Sequence, residues 1–523
     1  MRLLLLMGAV CQLCTVFAET GAPNIVLILA DDMGPGEPGF AGGLVPTPSL
    51  DQMAKEGMQF TDAHTTSSVC TPTRYGILTG RYNWRSRLKK GVLVAVDSPA
   101  LMDPARLSLP KFLQQCGYST GCIGKWHLGA NWQILPPGER PKRGKQFGSW
   151  NVDYEKPFRN GPTDVGFDQA FFILSSLDMP PYLYLRDDRA VAAPTVERGF
   201  PHNEYNDYER IGAAAADFDP SNCLGDWARE SRHFIQRHAK KDAPFFLYLP
   251  LSSPHTPVRP GKAFKGRYPQ FSSYADFVAE TDWVVGQVLD QLQESEVDDN
   301  TLVIFTSDNG FAPYVKIPRM FAAGYQPSGP FRGSKASLYE GGHRVPFLVR
   351  WPKRVAPGSR CDSTICTTDF FMTFAELIGT ADAVPDAAAE DSFSFVSCLD
   401  GGTAVTRPFT VHHGIGGAFA IRKGDWKLIL SKSGGGGWGE LPGQEKISTP
   451  AKVVQLYNLA ADSGETKNLE SDAPERVLEL VNDLAVAMRQ GRTTPGPPQS
   501  NEGWPYLHKP TLKVFPQLRE EQR

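Results

Sequence analysis

Residues 24–32 read NIVLILADD, six apolar residues in a row that stop abruptly at Asp31 and Asp32. An uninterrupted run of this length suits a strand covered on both faces, the setting of a parallel or mixed sheet between helices. The pattern returns twice. PFFLYLPLSSPHTP (244–257) runs into Ser252, Ser253 and His255, and NTLVIFTSDNG (300–310) runs into Asp308 and Asn309. Ligands of such sheets bind beyond the carboxyl ends of the strands, so three runs deliver polar groups to one edge. Helical patterns alternate with them. TPSLDQMAKEG (47–57) has a Thr-Pro start and a Gly stop, PARLSLPKFLQQCG (104–117) precedes the strand-like YSTGCIG, and residues 275–295 have strong helical periodicity. The expected fold is α/β, with a mixed, mainly parallel sheet sandwiched by helices.

After about residue 380 the texture changes. A small-residue connector leads to the short strand candidates PFTVHH, FAIRKGDWKLIL and VVQLYNL, then to a helix over 473–491. This predicts a smaller C-terminal subdomain of antiparallel sheet plus helix. The expected layout is a leader at 1–18, a catalytic domain at 22–380, the α+β subdomain at 381–492 and an extended, Pro-rich tail at 493–523. Residues 132–215 are rich in Gly, Pro, Asp and Tyr with weak periodicity and read as long surface loops.

The 523 residues are ample for a full core. A net charge of −3 gives no basic field, which excludes nucleic acid as an expected partner. The first residues have Arg2, a short apolar run and Val16-Phe17-Ala18, the form of a secretory signal peptide, and no later stretch is apolar enough to span a bilayer. The expected location is secreted or periplasmic, or lysosomal in a eukaryote; the absence of any Asn-x-Ser/Thr triplet favours a bacterial setting. Seven cysteines lie beyond the leader. With Cys70 reserved for chemistry, Cys116, Cys122, Cys223, Cys361, Cys366 and Cys398 are free to pair, and sequence alone assigns no pairing.

Asp31, Asp32, Asp308 and Asn309 offer three carboxylates and an amide oxygen from two strand ends. Each pair alone would suit a turn, but together they make a hard-oxygen set fit for Ca²⁺, less so for Mg²⁺, and unlike a zinc site. GKWHLG (124–129) places Lys125 and His127 at alternate positions, so strand alternation would send both to one face. His255 lies between two prolines. GPFRGSKASLYEGGHRVP (329–346) holds Arg332, Lys335, Glu340 and Arg344, with Lys335 as the candidate anion binder. A cation, an arginine, two lysines and two histidines around a small reactive group fit a tetrahedral oxyanion ester.

Within SSVCTPTRYGILTGRY (67–82), Cys70 precedes Arg74 by four residues. A thiolate beside a hard cation would be a mismatched pair, so a plain thiol nucleophile is the weakest reading of Cys70.

These residues together resemble the type I sulfatases, arylsulfatase-like enzymes of the alkaline-phosphatase-like superfamily. CTPTRYGILTGR is similar to their C-x-P-x-R motif, GYSTGCIGKWHLG to their second motif, and the aspartate pair, SSPHTP, TSDNG, FRGSKASLYEGGHRVP and LYNLAADSGETKNL follow in the family's order over about residues 22–490. Thr73 stands where Ser or Ala is common, and Glu37 where the family has aspartate. The resemblance implies an alkaline-phosphatase-like fold and hydrolysis of a sulfate ester, aryl or saccharide. It implies that a formylglycine-generating enzyme oxidises Cys70 to formylglycine, whose hydrate is the nucleophile. Ca²⁺ would be held by Asp31, Asp32, Asp308, Asn309 and an oxygen of modified residue 70. Arg74 would steady the hydrate, and Lys125 and Lys335 would bind sulfate. His255 would assist the leaving alcohol, and His127 would deprotonate the second hydroxyl. Two other readings remain: a phosphate or phosphonate monoester hydrolase on the same scaffold, and an inactive relative that binds sulfated glycans. Residues 178–210 and His412-His413 would suit a sugar pocket, or equally solvated loops.

Overall fold

The structure is a computed structural model that describes residues 21–141, 148–200, 208–403, 407–436, 441–444 and 453–520. The expected leader, with Cys11 and Cys14, lies outside the described residues.

The quoted run forms the strand Asn24–Asp31 at the centre of a ten-stranded sheet. It pairs in parallel with Phe245–Pro254 on one side and Thr301–Ser307 on the other, with Ala30 opposite Ser307 and Asp31 opposite Pro254. All three runs therefore end at the same edge. Ser119–Lys125 and Gln169–Ile173 continue the sheet in parallel, while Phe347–Arg350 is antiparallel beside Thr301–Ser307. Met58–Phe60 and Ser359–Cys361 complete that side.

Adjacent phenylalanines show the sandwich. Side chains alternate along a strand, so Phe245 meets Phe234 of the helix Cys223–His238, while Phe246 meets Phe374 of the helix Phe370–Leu377. Both phenylalanines are fully buried, as are residues 25–30. This two-sided cover is why the strands are apolar without alternation. At roughly 25 cal/mol per Å² of apolar area it is also the main stabilising term of the domain. The long helix Ser273–Glu294 lies against Cys223–His238.

The smaller unit is a four-stranded antiparallel sheet of Thr410–His413, Phe419–Lys423, Trp426–Ile429 and Gln455–Asn458. The helix Pro474–Gln490 covers it with Val477, Leu480, Val481, Leu484 and Met488, joined by Tyr82 and Trp84 from the larger domain. The Ser68 amide donates to the His413 carbonyl, which ties this sheet to the segment just before Cys70.

Two expectations change. Residues 132–215 are not loops throughout, because Gln169–Ile173 is a strand of the central sheet; five residues are too few for periodicity to reveal. The expected extended tail at 493–523, described as far as 520, does not stay extended: Lys509–Val514 is helical, and Leu507, Phe515 and Leu518 bury themselves in the second core. No helix among the described residues is long and apolar enough to cross a membrane.

Candidate active site

Cys70 opens the helix Cys70–Thr79, all ten residues of which are buried. Val69 is extended, Pro72 sits in the first turn where its missing N–H costs no hydrogen bond, and Gly80 closes the helix at φ 63° with its N–H on the Gly76 carbonyl. Thr73 turns its hydroxyl back onto the Ser67 carbonyl at 2.9 Å, fastening the first turn to the chain before Cys70. Arg74, one turn on, donates from Nε and Nη2 to Asp308 Oδ2 at 3.0 and 2.7 Å, and from Nη1 to the Lys125 carbonyl at 2.8 Å.

At the strand ends each carboxylate meets a cation of the chain. Lys125 Nζ lies 2.5 Å from Asp31 Oδ2, and Lys335 Nζ lies 2.6 and 2.7 Å from the two oxygens of Asp32. Burial would raise the Asp31 carboxyl, but Lys125, His255, Arg74 and Lys335 outweigh it and hold it well below the usual carboxylate range. Asp308 moves the other way, pushed up by burial and by the Asp31 charge.

Asp31 Oδ1 and Asn309 Oδ1 are buried with no hydrogen-bond partner. Each such oxygen carries a desolvation cost that a ligand would remove. One oxygen each of Asp31 and Asp308 and the Cys70 sulfur lie within 4.8 Å of one another. Three carboxylates and two orphaned oxygens are a donor set that a hard divalent cation fits, and a thiophilic metal does not. Burial pushes the Cys70 thiol up to about 11, against the pull of Lys125 and Lys335. At neutral pH the unmodified side chain is a neutral thiol, a poor nucleophile.

His127 is buried at φ 57°, just beyond the strand end at Lys125. It thus lies outside the strand, and this left-handed residue, rather than strand alternation, turns it toward the site. Its Nε2 faces the Leu93 carbonyl at 2.9 Å and must carry the proton, while Nδ1 is buried and unpartnered. Burial, then Lys125 and Arg74, holds its pKa well below 6.5, so the ring is neutral with a bare lone pair. His255 Nδ1 faces the Thr256 carbonyl and Ser176 Oγ, leaving Nε2 3.6 Å from Asp32 Oδ2. Its pKa is also lowered, by burial and then Lys335.

All ten candidate residues from the sequence are thus gathered at one sheet edge. Of the glycine-rich segment only Lys335 reaches it. Glu340 pairs with Lys427, Arg344 with Asp62, and Arg332 lies over the Tyr339 ring. His412 and His413 are buried and serve neither a pocket nor a solvated loop: His412 stacks on His343 at 3.8 Å, and His413 Nδ1 pairs with Asn83.

Two groups escaped sequence reading, Tyr314 and Asp178, and so did the role of a third, Glu37. Tyr314 places its hydroxyl 3.2–3.4 Å from Lys335 Nζ, Asp32 Oδ2 and His255 Nε2. Asp178, ion-paired with Arg210, lies close enough to His255 for their charges to interact. Glu37 accepts from Tyr274, Tyr325 and the Gly34 amide, which fixes the turn after Asp32; burial pushes its carboxyl up to about 7. No motif marks Tyr314 or Asp178. Asp32, His127 and Ala336, next to or within the site, are three of the eight described non-glycine residues with positive φ, at 68°, 57° and 71°.

Comparison with known proteins identifies the family. A family model described as Sulfatase matches residues 23–380. N-acetylgalactosamine-6-O-sulfatase of Bacteroides thetaiotaomicron is 31% identical over 503 residues, covering 88% of this chain and 91% of that protein. Human steryl-sulfatase is 30% identical, covering 72% and 70%. A solved B. thetaiotaomicron structure, from work on glycosaminoglycan metabolism, superposes with a TM-score of 0.75 at 29% identity, covering 89% and 99%. Phosphonate monoester hydrolase of Agrobacterium radiobacter, at 18% identity and a TM-score of 0.54 over 89% of this chain and 94% of that one, shares the fold alone. With the family model spanning the strands that carry Asp31 and Asp308, the helix of Cys70 and the loop of Lys335, the chain belongs to the sulfatase family and is a sulfuric ester hydrolase.

Proposed function

We propose that this sulfatase is exported and removes sulfate from a sulfated saccharide. In this reading Ca²⁺ is held by Asp31, Asp32, Asp308 and Asn309, and Cys70 is oxidised after synthesis to formylglycine. The observation that carries the proposal is the placement of Cys70. It opens a buried helix, within 4.8 Å of carboxylate oxygens of Asp31 and Asp308, as a thiol too basic to serve unmodified. When bound, the cation would neutralise charge on sulfate oxygens, and the hydrated aldehyde of residue 70 would supply the attacking hydroxyl.

The chain's own groups divide the remaining work. With the carboxylates of Asp31 and Asp32 neutralised by a bound cation, Lys125 and Lys335 would turn their ammonium groups to sulfate oxygens and stabilise developing charge there. Arg74, held by Asp308 and the Lys125 carbonyl, lies one helical turn from residue 70 and orients it. Because Nδ1–H of His255 is engaged by the Thr256 carbonyl, Nε2 is the atom that faces the leaving alcohol, and it gives a proton from the imidazolium form, which Asp32 at 3.6 Å favours against burial and Lys335. His127, with Nε2–H on Leu93 O, takes a proton at Nδ1 from the second hydroxyl of residue 70, the step that expels sulfate.

A saccharide is favoured over a small aryl ester by two things. The names of the relatives include N-acetylgalactosamine-6-sulfatases, and the Asp178–Arg210 pair near His255 has the lone pairs and N–H groups that bind sugar hydroxyls. Export rests on the signal-like residues 1–18.

Mass measurement of the peptide covering 67–81, followed by sulfate release from a sulfated-saccharide panel and parallel phosphate-ester assays, tests the proposal. Active enzyme with an unmodified Cys70 overturns the mechanism, and faster turnover of phosphate or phosphonate esters overturns the substrate class.

A further inference from the structure

Cys361 and Cys398 lie 37 positions apart in sequence, yet each thiol is near enough to be the largest influence on the other's ionisation. Cys361 ends the edge strand Ser359–Cys361 and is paired with Phe60. Cys398 lies in the short helix Val396–Leu399, and Phe395 just before it packs its ring on Phe60 at 5.5 Å. Phe60 thus links the strand end to the start of the helix, and both cysteines are buried, at 7% and 0% exposure. Ser363 shares hydrogen bonds with both thiols.

We propose that Cys361 and Cys398 form a structural disulfide in the mature protein. Two thiols held in contact need little backbone movement to reach bonding geometry. One sulfur, as the thiolate, attacks a disulfide-bearing oxidant of the export compartment, and the second then displaces that carrier. The chain loses two protons and two electrons, one S–S bond forms, and the oxidant's disulfide leaves as two thiols. Cys361 is the attacking sulfur. Its thiolate is the more favoured of the two, because Cys398 and Ser363 draw its pKa down.

The bridge would close a loop over 362–397 that braces the reactive helix from behind. The Asp391 amide donates to the Gly80 carbonyl at the end of that helix, and the Asp391 carboxylate accepts from the Tyr82 amide and Arg85 Nε, both at 2.8 Å. A cross-link here restricts the unfolded chain and pins the Asp391 segment to the sheet edge. It rests on the export proposed above and is independent of the sulfate chemistry.

The test is peptide mapping of the full chain, recovered from the export compartment and alkylated before any reduction. The expected result is one cross-linked pair containing Cys361 and Cys398. Recovery of both as alkylated thiols, or joined to other cysteines, overturns the proposal. A second measurement does not depend on a variant folding well. Reductant should lower the thermal midpoint of the wild type by several degrees and leave that of the Cys361→Ser/Cys398→Ser protein unchanged, with kcat/KM on an aryl sulfate within about twofold before heating. An equal fall in both proteins overturns the stapling role.

Discussion

The Leu93 carbonyl accepts a hydrogen bond from Nε2–H of His127 at 2.9 Å and thereby leaves Nδ1 as a bare acceptor inside the site. One backbone contact sets the tautomer of the ring, and with it the direction in which a proton can move. If His127 is the base of the sulfate-releasing step, His127→Ala should lower kcat by about 10²–10⁴-fold. It should also release one equivalent of alcohol per enzyme ahead of sulfate. Alcohol and sulfate appearing together throughout the time course would remove His127 from that role.

The pH dependence follows from the same ring. A base works when neutral, and burial with Lys125 and Arg74 places its pKa well below 6.5. The neutral form is therefore retained as pH falls through 6.5 and is lost only below it. The acid limb of kcat for the wild type should have its midpoint below pH 6.5. A limb centred at or above that value would contradict the assignment.

Removing the divalent cation should abolish turnover, and Ca²⁺ should restore it better than Mg²⁺. If the cation binds only the folded site, Ca²⁺ at 100 times its Kd should add about 2.7 kcal/mol of stability in denaturant titrations. Asp31→Asn, which weakens the donor set around two orphaned oxygens, should shrink that increment. A chelator-treated protein with unchanged activity and midpoint would exclude the site.

Arg74 and Asp308 are both fully buried, at 0% side-chain exposure. Removing one partner leaves an uncompensated charge, so Arg74→Ala should cost about 3–5 kcal/mol in unfolding free energy. A cost below 1 kcal/mol would mean that the cluster relaxes around the loss.

Asp178→Asn separates saccharide recognition from chemistry. A lost hydrogen bond to a charged group costs roughly 1.5–3 kcal/mol, so kcat/KM on a sulfated saccharide should fall by about 10–150-fold, mostly through KM. Hydrolysis of an aryl sulfate should change by less than threefold. Parallel losses on both substrates would make Asp178 a structural residue only.

Much of this could be read from residues in order. Residues 25–30 are apolar without interruption because helices cover both faces of the sheet, and Phe245 and Phe246 show that cover directly. The polar groups after Asp31, Lys125, Pro254 and Ser307 mark the edge where parallel strands end together. Less was legible where an element was short or a contact long. The strand Gln169–Ile173 has five residues, too few for a period. The clasp of Lys335 on Asp32 spans 303 positions, and that of Tyr314 spans 282.

The sequence by itself determined the α/β architecture, the clustering of three carboxylates and an amide at one edge, and the resemblance of CTPTR to a sulfatase motif. These are local patterns, written by burial and by strand ends. Tertiary structure alone decided which cation neutralises which carboxylate, which nitrogen of His127 faces the site, and which cysteines meet. Those outcomes depend on the register of strands far apart in the chain, and on low-dielectric burial that makes each polar pairing consequential. Residue order encodes neither without the fold.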